Sequence, residues 1–506
     1  MPNGVTPNVN KYDTIVAGSG ISGLTASLLL AMSGKKVLLL EKAATIGGSL
    51  TRFRRDGVPF DTGFHFTGGF DENGLLNRML KILGIRDRIS PVFLKGDRAQ
   101  EIVFEPDGHR YTLPSGNAAL RERFKAYFPE EGRAVDAYFD RLSAVFSRTA
   151  DLAFIDADRV PMLSGEDLVS LRSVLDELTG NRRLQALLSI FCMCYGVKPS
   201  EVSFANHSRV CFSLFESLAR VEGGGEAFIE AYRAKLAGFG VEIRCRTAIT
   251  RCEDVQNRRV TKFRLSSGET VAADSCLLTM HPREILKMLP RECVKPAFVE
   301  RVEAFENSAG FFSVFGVIDS QEVEEDFGLS ITSLLPTEDL DGMLDPKHQG
   351  DSALVVVKSR EQTATGSRCA ITAFEPAYPE TVAPWWNSST GKRPADYARY
   401  KRERTDRIRA RIERAFPEYR GRLRILDSAT MLTFRDWLHS PAGSAYGVKQ
   451  KLGQLNIIGR LPLANLFAAG QSALLPGIVG AMVSSFVVCR SLIGVEDFSR
   501  LVKGAR

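Results

Sequence analysis

Three glycines near the start of the chain have the spacing of a turn that binds a dinucleotide. Gly18, Gly20 and Gly23 form a GxGxxG pattern, and the acidic Glu41 follows them. In such a pattern the first glycine permits a tight turn, the second lets the backbone approach a pyrophosphate, and the third lets a helix pack closely on a strand. A carboxylate after the following strand can accept hydrogen bonds from ribose hydroxyls. We therefore predict a dinucleotide site here, with an ordinary strand-to-helix turn as the alternative.

A second glycine cluster lies inside a long stretch without charge. Residues 461–489 contain no charged side chain and are long enough to span a bilayer. The stretch also contains Asn465, Gln471, Pro476 and a pair of serines at 484–485. Because polar residues and a proline interrupt it, the pattern favours a strand, a loop and a helix around a buried ligand. We expect no membrane-spanning helix.

The elements that must position these residues follow from the hydrophobic pattern. An apolar run at 14–17, a helical pattern at 21–32 and a second apolar run at 36–40 predict one strand–helix–strand unit around the first glycines. A further helical pattern begins at Gly223–Gly225. Strand patterns follow that helix at 241–246, 259–264 and 270–279. The pieces of the nucleotide site are therefore separated in sequence and must meet in the fold.

Two other segments have different patterns. Residues 115–220 are mostly helical in pattern, whereas residues 308–375 contain strand-like apolar runs. Aromatic residues in and after these runs can either wall an apolar tunnel or belong to a hydrophobic core. They are Phe311, Phe312, Phe315, Phe374, Trp385 and Trp386.

The composition is that of a soluble globular protein. Of 506 residues, 44% are hydrophobic and 25% are charged, which excludes a disordered chain, a fibre and a small disulfide-stapled scaffold. The nine cysteines include no CxxC pair, so we expect reduced thiols and a cytoplasmic protein. Cys192 and Cys194 have the wrong spacing for a zinc site, and we predict no metal. Residues 1–11 lack the apolar segment of a secretory signal.

The net charge of +6 is concentrated in one segment. Residues 399–424 contain eleven basic and four acidic side chains. The pattern predicts an amphipathic helix with Tyr400, Ile408, Ile412 and Phe416 turned inward and a solvated basic face. The alternative is a peripheral contact between this face and an anionic membrane. A single basic helix gives little support to nucleic-acid binding, and we expect none.

The motifs together resemble one family of flavoproteins. The GxGxxG pattern, Glu41 and the Gly47–Gly48 pair resemble the FAD-binding start of the amine-oxidase superfamily. The segments Asp61–Gly69 and Thr430–Arg435 are similar to its phytoene desaturase, carotenoid isomerase and retinol saturase branch. The closing segment, Asn465–Gly470 with Pro476-Gly477-x-x-Gly480-Ala481, resembles the C-terminal flavin-binding motif of that family.

The resemblance implies an α/β fold with two domains. A discontinuous Rossmann-type FAD-binding domain would comprise residues 1–75, 215–285 and 425–506. An α+β substrate-binding domain would comprise residues 76–214 and 286–424, with a mixed or antiparallel sheet roofed by helices.

FAD is the cofactor that the resemblance implies. Relatives place arginines near the paired glycines, where this chain has Thr45 and Ser49, so backbone dipoles or Arg52 or Arg54 would meet the phosphate charge. The cofactor-binding residues carried over from the family are Gly18, Gly20, Gly23, Glu41, Gly47, Gly48, Ser49, Ala248, Gly470, Gln471, Pro476, Gly477, Gly480, Ala481 and Met482.

Two residues are candidates for proton transfer. His65 lies in a glycine-rich segment that the family places near the flavin ring, and a histidine of ordinary pKa can exchange a proton near neutrality. Tyr446, within the segment Gly443–Gly447, can line the flavin face or donate a proton. The alternatives are a histidine that only stabilises a turn and an aromatic residue that only packs.

The implied activity is FAD-dependent chemistry on carbon–carbon double bonds of an apolar isoprenoid or polyene, similar to a carotenoid or retinoid. Saturation, desaturation and redox-neutral cis–trans isomerisation share this chemistry, and the Asp61–Gly69 segment resembles the isomerase and saturase branch more closely. The alternatives are a flavin amine oxidase and a binding protein that retains FAD for structural reasons. We expect a cytoplasmic protein, with peripheral membrane contact left open.

Overall fold

The structure is a computed structural model that describes residues 11–94, 100–150, 164–319 and 329–504. Residues 1–10, and with them nearly all of the segment in which we expected no secretory signal, lie outside the described residues. The strands are β1 (Lys11–Ala17), β2 (Val37–Leu40), β3 (Arg52–Arg55), β4 (Val58–Asp61), β5 (Pro91–Phe93), β6 (Gln100–Phe104), β7 (His109–Thr112), β8 (Ala219–Val221), β9 (Glu242–Arg244), β10 (Ile249–Gln256), β11 (Arg259–Leu265), β12 (Thr270–Leu278), β13 (Gly310–Ile318), β14 (Ser330–Leu335), β15 (Leu354–Thr363), β16 (Gly366–Ala377), β17 (Leu423–Ala429), β18 (Gly459–Arg460) and β19 (Leu466–Ala468).

The α-helices connect these strands and cover their faces. They are α1 (Ile21–Met32), α2 (Leu75–Ile82), α3 (Asn117–Tyr127), α4 (Gly132–Ala150), α5 (Leu171–Leu178), α6 (Arg182–Leu188), α7 (Phe204–Glu216), α8 (Gly225–Gly238), α9 (Pro282–Met288), α10 (Pro296–Glu303), α11 (Leu340–Met343), α12 (Ala395–Ala415), α13 (Met431–Leu438), α14 (Gly477–Ile493) and α15 (Val495–Gly504).

The first sheet has a parallel centre assembled from distant segments. β1 lies between β2 and β12, β9 extends the sheet beyond β2, and β19 extends it beyond β12. β10 and β11 continue it as antiparallel strands. Val16 faces a core shared with α1, α8 and α14, whereas Ile15 faces a second core shared with α9 and α10. Burial on both faces explains why the centre of this sheet is apolar rather than alternating.

The second sheet is mixed and is also covered by helices. Its strand order is β17–β13–β16–β15–β14–β6–β7, and only the pair β14 and β6 is parallel among the described strands. Helices α3 to α7 pack on one face, where Phe374 and Val355 join their core. The opposite face packs on α12 through Phe312, Ile408 and Ile412.

These two sheets confirm the α/β class, with a Rossmann-type parallel sheet built from separate segments and a second sheet roofed by helices. The residue bounds of the two expected domains stay a prediction. The uncharged stretch forms β19, a loop and most of α14. Across the described residues, no helix combines the length and the apolar character needed to cross a bilayer.

The basic segment forms α12, and its inner face follows the hydrophobic pattern. Ile408 and Ile412 are buried, and Phe416 is buried just after the last turn. Arg411 is also buried, where its guanidinium pairs with Glu105 at 2.7 Å and with Glu375 at 3.4 Å. Part of the positive charge that the sequence assigned to the surface is therefore internal, because acidic residues of the second sheet compensate it.

Candidate active site

The first glycine turn is shaped by backbone geometry at two positions. Gly18 has a φ of +97°, a conformation that favours glycine, and a Cβ on Gly23 would lie 1.8 Å from the Gly18 carbonyl oxygen. A Cβ on Gly20, in contrast, would meet no protein atom within 4 Å. The turn is therefore closed where α1 packs on β1 and open at Gly20, where the predicted pyrophosphate would approach.

The carboxylate of Glu41 is held in place at the end of β2. Its Oε2 accepts hydrogen bonds from the backbone N–H and the hydroxyl of Ser19, with the N–H at 2.9 Å, and its Oε1 accepts the N–H of Ala43 at 2.7 Å. A carboxylate has about four lone-pair sites, two on each oxygen, so Oε2 is fully used by Ser19 and Oε1 retains acceptor capacity. The sequence did not identify Ser19, which fixes this carboxylate beside the turn.

Two helix N-termini face the same cavity without side-chain caps. α1 begins after Gly20 and α14 begins after Pro476, and neither preceding residue provides a capping hydrogen bond. Neither first turn contains an acidic residue. Free N–H groups and the positive end of a helix dipole stabilise anionic groups. These termini therefore suit a phosphate at α1 and the electron-rich edge of a flavin at α14.

Most of the predicted cofactor residues line one cavity of about 1160 Å³, which lies between the glycine turn, α14 and the second sheet. Three do not: Gly23 is covered by the Gly18 carbonyl, Gly47 packs on Ile229, and Met482 is fully buried in the core. Those that line the cavity are Gly18, Gly20, Glu41, Gly48, Ser49, Ala248, Gly470, Gln471, Pro476, Gly477, Gly480 and Ala481.

Ala248 lines the cavity with its backbone already engaged. Its N–H donates to the Ser266 hydroxyl at 3.1 Å, and its carbonyl accepts the Ser266 N–H at 2.8 Å. The cofactor contact that the resemblance implies for Ala248 must therefore compete with Ser266 if it is made by the backbone.

The expectation that Arg52 or Arg54 meets the phosphate charge is not supported by their positions. Arg52 pairs with Asp61 at 3.1 Å and with Glu361 at 2.5 Å, and Arg54 bonds the carbonyl of Gly57. Neither side chain lines the cavity. Lys42 and Arg246 line it instead.

A buried charge cluster anchors the segment that carries His65. Asp61, at the end of β4, pairs with Arg220 at 2.8 Å and accepts the N–H of Gly225 at 2.9 Å. Arg220 also pairs with Glu361 at 3.2 Å. A Cβ on Gly224 would lie 2.2 Å from Asp61 Oδ1, so the mid-chain glycines are needed here for close packing.

His65 lies in the cavity wall with a neutral ring. Its imidazole stacks on Phe374 with the ring centres 4.9 Å apart and an angle of 23° between the planes. Burial, assisted by the charge of Arg220, lowers the pKa of His65 to about 3. The expected exchange of a proton near neutrality therefore does not hold for this histidine, because the folded protein disfavours its charged form.

Tyr446 lies in the same wall, at the other end of a row of four rings. Phe374 packs edge-on against Phe311 at 5.1 Å, and Phe311 packs edge-on against Tyr446 at 6.0 Å. Burial raises the pKa of Tyr446 well above its usual value, so its hydroxyl stays protonated at neutral pH. His65 and Tyr446 are thus brought into one cavity, separated by an apolar aromatic surface.

The other aromatic residues belong to hydrophobic cores. Phe312 points to the opposite face of β13, where it packs against Tyr400 of α12. Phe315 shares the cavity face of β13 but lies further along, beneath Phe53 and Phe60 of the β3–β4 hairpin. Trp385 and Trp386 pack around α12. Only Phe311 and Phe374 of the proposed tunnel residues line the cavity.

The far wall of the cavity comes from α4 and α7, which the sequence did not connect with the site. Val145, Phe146, Val210 and Leu214 provide most of its apolar surface. Val210 and Leu214 are spaced to lie on one face of α7, which is the pattern of a helix that lines a cavity. A helix face that packs into a hydrophobic core has the same pattern, so the sequence could not distinguish the two. Among the described residues, no cluster of His, Cys, Asp and Glu has the arrangement of a metal site.

Comparison with known proteins identifies similar chains. A family model described as flavin containing amine oxidoreductase matches residues 21–485. The chain is 24% identical to an all-trans-retinol 13,14-reductase of Danio rerio, over 95% of this chain and 86% of that protein. It is 45% identical to a chloroplastic prolycopene isomerase of an Oncidium hybrid, over 32% of this chain and 27% of that protein.

Solved structures show the same fold at low sequence identity. A putrescine oxidase with bound putrescine superposes with a TM-score of 0.64 at 14% identity, over 95% of this chain and 98% of that one. An oxidoreductase from Methanosarcina mazei superposes with a TM-score of 0.62 at 14% identity, over 94% and 98%.

Proposed function

The chain belongs to the flavin containing amine oxidoreductase family, and from this premise we propose that it acts on carbon–carbon double bonds of an apolar isoprenoid polyene. It is an FAD-dependent oxidoreductase. Saturation, desaturation and redox-neutral isomerisation remain three outcomes of the same site. The similarity to a retinol reductase along most of the chain favours saturation, and the similarity to a prolycopene isomerase over 32% of the chain favours isomerisation.

The residues around the glycine turn fit FAD. Gly20 leaves room for the pyrophosphate, Glu41 offers an oriented acceptor for the ribose, and the uncapped N-terminus of α14 suits the flavin ring. When bound, the flavin supplies the two-electron chemistry that adds hydrogen to a carbon–carbon bond or removes it. The chain itself must bind the polyene, orient it, exclude water and handle one proton.

The apolar lining beyond the nucleotide site is the observation that carries the proposed substrate. Phe311, Phe374, Val145, Phe146 and Val210 present hydrocarbon and aromatic surface to the cavity. Such a surface favours a polyene, since burying apolar area contributes about 25 cal/mol per Å².

Tyr446 is the group that we propose to carry the proton. Its phenol keeps its proton at neutral pH, whereas the neutral imidazole of His65 lacks the acidic proton of an imidazolium and retains only a very weakly acidic N–H. We assign His65 to positioning: its ring extends the aromatic surface against which a flat polyene can lie.

An amine oxidase would need a group that accepts a cation. Within the described lining, Glu41 is bonded by Ser19 and Ala43, Asp167 pairs with Arg209 at 2.6 Å, and Glu284 pairs with Lys287 at 2.6 Å. Asp167 and Glu284 are therefore already paired with cations, and we assign the remaining acceptor capacity of Glu41 to the ribose of FAD. The likeness to putrescine oxidase concerns the fold.

We further propose that the protein is cytoplasmic. We also propose that α12 makes a peripheral contact with the cytoplasmic face of an anionic membrane. Arg399, Arg402 and Arg414 are exposed on this helix, and a polyene partitions into bilayers. All nine cysteines are free, which suits a reducing compartment.

The test supplies the purified FAD-loaded enzyme, oxidised or chemically reduced, with a panel of polyenes. We expect the polyene absorbance to shift as a double bond is saturated, formed or isomerised. Peroxide produced from amines, with every polyene unchanged in both redox states, would instead assign the protein to amine oxidation.

A further inference from the structure

Three basic side chains from separate segments line the cavity beside Glu41. Lys42 directly follows Glu41 at the end of β2, Arg246 lies two residues after β9, and His439 is the first residue after α13. The backbone N–H of Arg246 donates to the carbonyl of Ala43 at 2.9 Å, so β9 brings Arg246 to the turn that carries Lys42. The fold therefore gathers positive charge around the carboxylate that we assign to the ribose.

The carboxylates near this cluster do not neutralise it. Lys42 and Arg246 are exposed, and neither forms an ion pair with any carboxylate in the part of the chain that the structure describes. Asp436, whose charge also acts on His439, already pairs with two arginines at 2.5 and 2.6 Å. Positive charge that no carboxylate compensates, in the wall of a cavity, favours an anionic ligand.

His439 is the titratable member of the cluster. Burial, followed by the charge of Lys42, lowers the pKa of His439, whereas the charges of Glu41 and Asp436 act in the opposite direction. Its imidazole is therefore mostly neutral at pH 7 when no anion is bound. A bound anion favours the charged form of the ring, so the anion must bind more tightly as the pH falls.

We propose that His439, Lys42 and Arg246 form a proton-linked subsite for the diphosphate group of FAD. The inference rests on the FAD site of the proposed function and adds His439 to it. Because the diphosphate is covalently bonded to the adenosine ribose, it must lie close to the carboxylate of Glu41. The arginines of the β3–β4 hairpin, which the sequence suggested for this charge, are engaged elsewhere.

The experiment follows the release of FAD from the holoenzyme by the recovery of free-flavin fluorescence after dilution, at pH 6 and pH 8. We expect the natural protein to release FAD at least about threefold more slowly at pH 6, because the protonated imidazole attracts the diphosphate. His439→Gln should release FAD at the natural rate at pH 8, where the imidazole is neutral, and should show no slowing at pH 6.

The permanent charges of Lys42 and Arg246 are tested at low and high salt. The double variant Lys42→Gln, Arg246→Gln should release FAD about tenfold faster at low salt and respond less to added salt, since salt screens this attraction. Arg251→Gln, Arg291→Gln removes the same charge outside the cavity lining and is the matched control, expected to behave as the natural protein. Equally fast release from both double variants would overturn the subsite.

A second histidine variant guards against a folding defect. His439 has a φ of +53°, a left-handed conformation that asparagine adopts more readily than glutamine. His439→Asn should therefore remain as stable as the natural protein and lose the pH dependence of FAD release. Release from the natural protein at one rate at both pH values, or pH dependence that persists in both histidine variants, overturns the subsite and leaves the proposed function standing. A natural protein that neither retains nor rebinds FAD contradicts the proposed function and this inference together.

Discussion

At the scale of single residues, the open space at Gly20 gives the sharpest test of cofactor binding. Gly20→Val should leave the fold intact, because no protein atom lies within 4 Å of the added Cβ, and should prevent flavin binding by filling the approach of the pyrophosphate. The measurement is the flavin absorbance of the purified protein. Gly180→Val, at an exposed glycine outside the cavity that also has free space, is the control and should keep its flavin. A yellow Gly20→Val protein would show that the pyrophosphate lies elsewhere.

Tyr446 and His65 should differ in their effect on turnover. Tyr446→Phe removes the proposed proton donor and should slow turnover by about 10²–10⁴-fold while the flavin spectrum is kept. His65→Gln should cost much less, since the ring it replaces is neutral at every pH above about 3.

The pH dependence of turnover separates the two roles. A group with a pKa lowered to about 3 loses no proton between pH 5 and 8, so His65 should cause no break in the profile there. A break near pH 6.5 that disappears in His65→Gln would restore the histidine as the titrating residue and contradict the assignment of Tyr446.

Residue identity and spacing predicted the glycine turn and Glu41 because their constraints are local. Identity and spacing did not predict the protonation state of His65. Its pKa is lowered by burial and by the charge of Arg220, and Phe374, which stacks on its ring, is also remote in sequence. The same limit explains why Arg52 was expected near the phosphate. Only the fold shows that its guanidinium forms ion pairs with Asp61 and Glu361.

At the scale of elements, the hydrophobic pattern of α12 located its buried face but not the partners of its charges. Ile408 and Ile412 are buried as the helical spacing predicts. Arg404 and Arg411 turn to Glu375, which lies on a strand of the second sheet. Ion pairs between distant segments leave no signal in one sequence, so the pattern overstated the exposed charge.

Binding of α12 to membranes should be weaker than its sequence suggests and sensitive to salt. Each exposed basic residue near an anionic surface contributes about 1 kcal/mol, and salt screens this attraction. The double variant Arg402→Gln, Arg414→Gln should reduce flotation with anionic liposomes at low salt.

The control removes the same charge elsewhere. Arg251 and Arg291 are exposed and lie outside α12, so Arg251→Gln, Arg291→Gln should float like the natural protein. Equal loss in both variants would indicate a non-specific charge effect, and no flotation at low salt would exclude this helix as a membrane contact.

At the scale of the whole molecule, the sequence and its family resemblance predicted the two kinds of sheet but not the cavity that they share. The hydrophobic pattern predicted the strand–helix–strand unit and the strand-like runs at 308–375, whereas the two-domain architecture was implied by the family resemblance. The cavity is formed by β13, β16, α4, α7 and α14 together. Its shape depends on how these elements pack, and side-chain periodicity does not encode that.

Buried neutral histidines should also make the stability of the molecule depend on pH. His207 is fully buried, and its ring nitrogens hydrogen-bond Tyr138 and Tyr195, each at 2.7 Å. Burial lowers its pKa to about 3, whereas in the unfolded chain it is about 6.5. The unfolded state therefore binds one proton more than the folded state between these values, so the stabilisation is complete above pH 6.5 and falls as the pH decreases towards 3. Each unit of pH in this window should cost about 1.4 kcal/mol for this residue alone.

Urea unfolding at pH 7 and pH 5 measures this change of the free energy of unfolding with pH, which is the slope compared below. His207→Gln should be less stable at pH 7, because it cannot satisfy both tyrosines as the ring does, but its free energy of unfolding should fall less between the two pH values. His109→Gln, at an exposed histidine, is the matched control and should keep the slope of the natural protein. If His207→Gln keeps that slope as well, the acid sensitivity arises from other groups, and the network around His207 contributes to packing without linking stability to pH.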